Sequence, residues 1–75
     1  MRPITQRERH HRVPRSRGGS NSPRNISVVE AKYHHSFHHL FSNMLAEEIA
    51  ELLNAKWIDP DKQLICVSRK EVTTS

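Results

Sequence analysis

The feature that most constrains this chain is a run of turn-forming residues, 14–23, between two short segments of strand character. The run reads PRSRGGSNSP and is made largely of glycine, serine, asparagine and proline, the residues that favour turns. A polar loop of this length is costly to order in a small domain, so such loops are usually functional or disordered. The flanking segments, 9–13 and 26–29, are predicted to pair as a hairpin that this loop closes.

After the second strand the apolar pattern changes from strand to helix. From about Ala31 the apolar residues follow helical spacing in one stripe, and a second stripe follows with glutamates between its members. Ser42-Asn43 between the stripes predicts a kink or a break into two helices, with Asn43 as a helix cap. The first stripe comprises Tyr33, Phe37, Leu40, Phe41 and Met44, and the second comprises Leu45, Ile49, Leu52 and Leu53.

The remaining residues complete a small α+β pattern. Trp57 and Ile58 are predicted to fold back onto the core, and Asp59-Pro60-Asp61 to form a turn. Residues 64–67 read as a third short strand, with Cys66 as a small buried hydrophobe.

Length and composition limit the class of protein. The 75 residues leave room for one small domain, and the single cysteine excludes a scaffold held by internal disulfides. No apolar run approaches the ~20 residues of a membrane-spanning helix, so we expect a cytoplasmic protein without a membrane partner. We predict a flexible basic lead-in at 1–8, one domain at 9–68 and a flexible tail at 69–75.

Positive charge is concentrated in the first third of the chain. Residues 1–25 hold seven arginines and one acid, Glu8, whereas residues 26–75 hold five lysines or arginines and seven acids. Arginine can bind a phosphate through two parallel hydrogen bonds. The charge therefore favours a polyanionic partner, with nucleic acid ahead of a membrane surface. A solvated basic tail without a partner is the alternative.

All six histidines fall into two clusters, at 10–11 and at 34–39. On a helix, His34 and His38 lie one turn apart on one face, which is the spacing of helical metal sites. That pair lies beside the predicted core stripe, whereas His35 and His39 lie further toward solvent. We therefore expect 34 and 38 to be the ligand pair. The alternatives are a pH-sensitive polar surface or accidental metal affinity.

The adjacent histidines, His10 and His11, point to opposite faces of a strand. They cannot both bind the same ion without distortion, so one can face a metal while the other serves a different purpose. That asymmetry suits hydrolysis, in which one residue holds the ion and its neighbour activates a water molecule.

Residues from Arg9 to about Asn54 resemble the HNH endonucleases, whose core is the ββα-metal fold. The matching segments are HHRVPRSRGG at 10–19, PRN at 23–25 and HHSFHHLF at 34–41, followed by SN and a second amphipathic helix. The resemblance implies a hairpin with a long loop, a histidine-bearing helix and a second helix. It also implies a hydrolase that cleaves phosphodiester bonds in nucleic acid, most readily DNA, leaving 5′-phosphate and 3′-hydroxyl ends.

The resemblance also assigns roles to residues. His10, His34 and His38 match the metal ligands, His11 matches the general base, and Asn25 matches the residue that orients that base by hydrogen bonding. One divalent ion is expected, with Mg²⁺, Mn²⁺, Ni²⁺ and Zn²⁺ all open. Many relatives bind a structural zinc through Cys-x-x-Cys pairs, and this chain has Glu30 and Tyr33 there, so no structural zinc is expected. Four arginines are expected to hold flanking phosphates, namely Arg9, Arg12, Arg15 and Arg17.

Two other functions fit the same residues. One is a metal-containing module that binds nucleic acid without cutting it. The other is an accessory subunit of a larger phage or restriction machine, with a protein partner. The presence of both His11 and Asn25 favours the enzyme over the binding module.

Overall fold

The computed structural model of the protein describes residues 6–69, and the chain divides between Leu45 and Ala46 into two compact units. The first unit contains an antiparallel two-stranded hairpin and a helix, and the second contains one helix, so the predicted α+β class holds. Residues 1–5 of the predicted lead-in and 70–75 of the predicted tail lie outside the described residues. The elements are β1 (Arg7–His11), β2 (Ile26–Glu30), α1 (Ala31–Phe41) and α2 (Ala46–Lys56).

Strand β1 begins and ends two residues earlier than the predicted strand at 9–13. The reason is that Val13 is bound by a side chain instead of by the opposite strand. Its backbone N–H donates to Oδ1 of Asn25 at 2.8 Å, and its carbonyl accepts from Nδ2 of Asn25 at 3.0 Å. The strand pairing instead runs from Arg7 opposite Glu30 to His11 opposite Ile26.

The loop between the strands follows a defined path through two short 3₁₀ turns, Arg15–Arg17 and Pro23–Asn25. Gly18 closes the first turn in the left-handed region, at φ 96°, where a side chain is disfavoured. Gly19 lies so close to the backbone after β1 that a Cβ atom there would fall 1.7 Å from the carbonyl oxygen of Val13. Both glycines are therefore required by the backbone.

Helix α1 follows β2 without a connecting loop, because Glu30 ends the strand and Ala31 begins the helix. The backbone N–H of Ala31 donates to the carbonyl of Gln6 at 2.8 Å. This bond ties the start of α1 to the residue preceding β1. The helix is thereby fixed relative to the face of the hairpin that carries the histidines.

The predicted break after the first helix is confirmed, since α1 ends at Phe41 and the next helix begins at Ala46. The N–H of Met44 donates to the carbonyl of Phe41 at 2.9 Å, and Ser42 between them has φ 51° and ψ −127°. These angles are those of the first central residue of a type II′ turn. Asn43 is not the predicted cap: its side chain donates to Oγ of Ser16 at 3.0 Å.

Packing in the first unit centres on Phe37. Its ring lies 4.9 Å from the ring of His10 and 5.0 Å from that of Phe41, between centroids. No side chain among residues 6–69 is fully buried, and Tyr33 and Leu40 are exposed. The predicted apolar stripe therefore contributes only part of its length to packing.

The described part of the second unit contains α2 and a following segment without regular secondary structure. The side chain of Asn54 accepts from the N–H of Leu64 at 2.8 Å and donates to its carbonyl at 2.9 Å. The turn at Asp59 is confirmed, since its carbonyl accepts from the N–H of Lys62 at 2.9 Å.

Three expectations for this second unit are wrong. Residues 64–67 form no strand, because within the described chain no neighbouring strand pairs with them. Cys66 is exposed rather than buried, and Trp57 is 60 % exposed rather than folded onto a core.

Within residues 6–69, none of the helices has the length and apolarity to cross a membrane.

Candidate functional site

Three histidines from two elements meet beside the hairpin. His10 comes from β1, and His34 and His38 come from successive turns of α1. Each offers a ring nitrogen, and these nitrogens all lie within 4.8 Å of one another. The two Nε2 atoms of His34 and His38 are 3.0 Å apart, close to the ~3.3 Å expected of two imidazole nitrogens on one tetrahedral zinc ion. The three residues predicted as metal ligands are thus brought together.

The other ring nitrogens of the helix histidines are held by oxygen acceptors. Nδ1 of His34 donates to Oε1 of Glu8 at 2.7 Å, and Nδ1 of His38 donates to the carbonyl of Ser42 at 3.2 Å. Because a carboxylate and a carbonyl can only accept, Nδ1 carries the proton in both rings, and in the neutral rings both Nε2 atoms carry a lone pair. Two lone pairs facing each other at 3.0 Å repel unless a positive charge, a proton or a metal ion, lies between them.

His10 completes the test of whether these residues fit a metal ion. Its Nδ1 atom is buried and has no hydrogen-bond partner among the described residues. Burial, followed by electrostatic repulsion from His34 and His38, lowers the pKa of His10 below its usual value. A neutral imidazole with an unpartnered nitrogen is the form that coordinates a divalent cation. The donor set therefore fits one divalent ion.

Glu8 lies in the segment predicted to be a flexible lead-in, yet it contacts the histidine cluster. Its hydrogen bond with His34, followed by the charges of His35 and His34, lowers the pKa of the Glu8 carboxyl and outweighs the opposing effect of burial. Strand alternation is the signal that could have identified it, because a residue two positions before His10 faces the same side of β1.

The second histidine pair on α1 lies outside the cluster, as predicted. The side chain of His35 is 73 % exposed, and its Nε2 lies 3.6 Å from Oε1 of Glu8. His39 is also exposed. Neither belongs to the group of ring nitrogens that could share an ion.

His11 is the last residue of β1, and its side chain is held by the loop. Its Nε2 donates to Oδ1 of Asn21 at 2.8 Å. Since an amide oxygen can only accept, Nε2 carries the proton and Nδ1 is left as the basic atom. A general base needs such an unprotonated nitrogen, so the geometry is suited to the role predicted for His11.

Asn25 does not make the predicted hydrogen bond to His11; among the described residues, the amide on that ring belongs to Asn21. All the polar atoms of the Asn25 side chain are used within the loop, where Oδ1 accepts from the N–H of Val13 and Nδ2 donates to the carbonyls of Val13 and Ser20. Asn25 thus fixes the backbone two residues after His11. Sequence reasoning missed Asn21 because a ten-residue loop contact has no characteristic spacing.

A pocket of about 300 Å³ is lined by His11 together with the two helix histidines, His34 and His38. Two of the four predicted phosphate-binding arginines, Arg9 and Arg15, lie in its wall. Arg17 instead donates from Nη1 to the carbonyl of Asn43 at 3.2 Å, and the backbone N–H of Arg12 donates to the carbonyl of Asn25 at 2.7 Å. The lining residues are Arg9, His11, Pro14, Arg15, Ser16, His34, His38 and Asn43.

A second cavity of about 200 Å³ lies on the apolar side of the cluster. Val29, Tyr33 and Phe37 line it together with His10 and His34.

Comparisons with known proteins found no match among protein-family models, curated proteins or solved structures.

Proposed function

We propose that this chain is a metal-dependent endonuclease of the HNH type that hydrolyses phosphodiester bonds in DNA to give 5′-phosphate and 3′-hydroxyl ends. The observation that carries the proposal is the shared pocket of His11, His34, His38, Arg9 and Arg15. A proton acceptor, two cation ligands and two phosphate-binding groups in one wall are the parts needed for phosphodiester hydrolysis.

The order of the elements supports the ββα-metal fold as the finer assignment. An antiparallel hairpin runs directly into a helix, one ligand lies on the first strand and two lie on the helix. The base candidate is the next residue of the same strand. This arrangement matches the ordered set of residues that carries the resemblance to HNH endonucleases.

In the proposed reaction each side chain has a separate task. His10, His34 and His38 hold the ion, which supplies Lewis acidity to the phosphate when bound. Nδ1 of His11 accepts the proton of the attacking water, while Asn21 holds the ring by its other nitrogen. Arg9 and Arg15 bind the phosphates beside the scissile bond, which makes binding sensitive to salt.

The three ligands also favour a class of metal. Imidazole nitrogens suit Zn²⁺ and Ni²⁺, whereas Mg²⁺ prefers carboxylate, carbonyl and water oxygens. All three candidate ligand atoms are imidazole nitrogens. We therefore propose Zn²⁺ or Ni²⁺ as the ion that the chain itself binds most tightly.

The test is plasmid cleavage by protein stripped with EDTA, with Mg²⁺, Mn²⁺, Ni²⁺ or Zn²⁺ added back. We expect nicking with at least one ion, and a loss of about 10²–10⁴-fold in His11→Ala because general base catalysis is removed. The ends should be resealed by DNA ligase, which requires 5′-phosphate and 3′-hydroxyl groups.

His39→Ala is the matched control, because it removes an exposed imidazole outside the cluster. It should cut as fast as wild type, and His11→Ala should still bind metal and DNA. Folded wild type that binds metal and DNA yet leaves the plasmid intact with every ion would contradict the nuclease. That result would support the non-catalytic binding module instead.

A further inference from the structure

We infer that Glu8 is the positioning residue of the metal centre: its carboxylate selects the His34 tautomer that binds the ion and offsets part of the ion's charge. The inference rests on the proposed function, because it concerns the same three-histidine site. It adds a residue that is not among the predicted ligands, base or arginines.

The contact is short and directed. Oε1 of Glu8 lies 2.7 Å from Nδ1 of His34, and the His34 side chain is only 15 % exposed. Carboxylate–histidine hydrogen bonds of this length are charge-assisted and stronger than neutral ones. The bond fixes the plane of the His34 ring, so its Nε2 atom is directed toward the other helix ligand.

The tautomer follows from the chemistry of the acceptor. An ionised carboxylate has no proton to donate, so the hydrogen of the bond belongs to Nδ1 of His34. The lone pair is then confined to Nε2, the atom that lies 3.0 Å from Nε2 of His38. Without Glu8 the ring could place its proton on Nε2 and lose its capacity to bind the ion there.

Charge gives Glu8 a second effect. Three neutral imidazoles leave the full charge of a divalent ion uncompensated, and residues 6–45 contain two acids, Glu8 and Glu30. Glu30 pairs with Arg7 across the hairpin, and strand alternation places Arg7 on the face opposite Glu8 and His10. Glu8 is therefore the carboxylate on the face of β1 that carries the metal ligand.

The decisive measurement is the affinity of the metal-free protein for Zn²⁺ and Ni²⁺, by calorimetry or competition with a chelating dye. Glu8→Gln keeps a hydrogen-bond acceptor and nearly the same volume but removes the charge. We expect its Kd to rise about 10–100-fold, the usual effect of removing the acceptor behind a metal-binding histidine. Glu51→Gln, which removes an exposed acid on α2, should change Kd less than about 2-fold.

A spectroscopic readout separates positioning from a general structural role. In metal-loaded wild type, long-range ¹H–¹⁵N correlation spectra should show the proton of His34 on Nδ1. In metal-free Glu8→Gln the same ring should shift toward a mixture of tautomers while the circular dichroism spectrum stays that of wild type. The NMR measurement on metal-loaded wild type does not need the variant, so it tests the inference even if Glu8→Gln fails to fold.

The outcomes distinguish this inference from the proposed function. Folded Glu8→Gln with wild-type affinity for both ions, or a His34 proton on Nε2 in loaded wild type, would overturn the role of Glu8 and leave the nuclease intact. Wild type that binds neither ion would overturn the role of Glu8, and wild type that also fails to nick plasmid with any of the four ions would overturn the nuclease as well.

Discussion

The histidine cluster and the loop beside it are organised by different means. In the cluster, regular elements do the positioning, since one strand and two turns of α1 bring three imidazoles together. In the loop, asparagine side chains do the positioning, with Asn21 on the ring of His11 and Asn25 on the backbone of Val13. The comparison teaches that the proposed ligands depend on element geometry, and the proposed base depends on individual side-chain hydrogen bonds.

The largest expected effect is the loss of metal affinity when a histidine of the cluster is replaced. His38→Ala removes one of three ligands, so affinity for Zn²⁺ should fall more than about 100-fold, beyond the loss caused by removing a supporting residue. At a metal concentration about 1,000 times the wild-type Kd, binding stabilises wild type by about 4 kcal/mol, and this increment should fall to about 1.4 kcal/mol or less in the variant. Thermal unfolding with and without EDTA measures it.

The side chain of His38 is exposed, so replacing it with alanine removes little buried packing. The metal-free stabilities of wild type and variant can therefore be compared directly. Without metal, wild type and His38→Ala should unfold within a few degrees of each other. A variant that is still strongly stabilised by Zn²⁺ would mean that the ion is held elsewhere.

Two asparagine substitutions in the loop should distinguish hydrogen bonds that hold the loop backbone from the hydrogen bond that holds the His11 ring. Asn25→Ala removes three hydrogen bonds and should cost about 2–4 kcal/mol of unfolding free energy. Asn21→Ala removes one hydrogen bond and should cost about 1 kcal/mol. Denaturant unfolding gives both free energies.

Cleavage rates sharpen the same contrast. Asn21→Ala should lower kcat about 10-fold with little change in KM, because it frees the base without altering substrate binding. Equal stability losses in the two asparagine variants, or an unchanged kcat in Asn21→Ala, would contradict the division of labour between them.

The smallest effect should come from the turn that ends α1. Ser42 has φ 51°, a conformation that glycine adopts at lower cost than other residues. Ser42→Gly should therefore raise the free energy of unfolding by about 0.5–1 kcal/mol, while the carbonyl at position 42 still accepts from His38. Ser42→Ala is the control, because it loses the hydroxyl but keeps the strain, and a stabilised alanine variant would argue against the backbone explanation.

Part of this structure could be predicted because it depends on local spacing. His34 and His38 share a face in any α-helix, and the break at Ser42-Asn43 follows from residues that stop helices. The alternation of a strand separated His10 from His11. Each of these predictions uses contacts between residues at most four positions apart.

Other features depended on contacts between distant residues. Asn25 occupies the backbone groups of Val13 and ends β1 at His11, so the strand at 9–13 was misplaced. Asn54 likewise occupies both backbone groups of Leu64, and no strand lies beside residues 64–67 in the described chain. An asparagine amide can imitate a strand partner, and no sequence pattern marks which asparagine does so.

The sequence by itself indicated a hairpin, and it determined the helix break and the histidine pair on α1, because helical spacing and local turn residues fix these two features. Only the tertiary structure decided that Glu8 holds His34, that Asn21 holds His11, and that Arg9 and Arg15 share a pocket with the histidines. The physical reason is that hydrogen bonds across 10 or 26 positions of the chain form only after the hairpin and helix have brought their partners within about 3 Å.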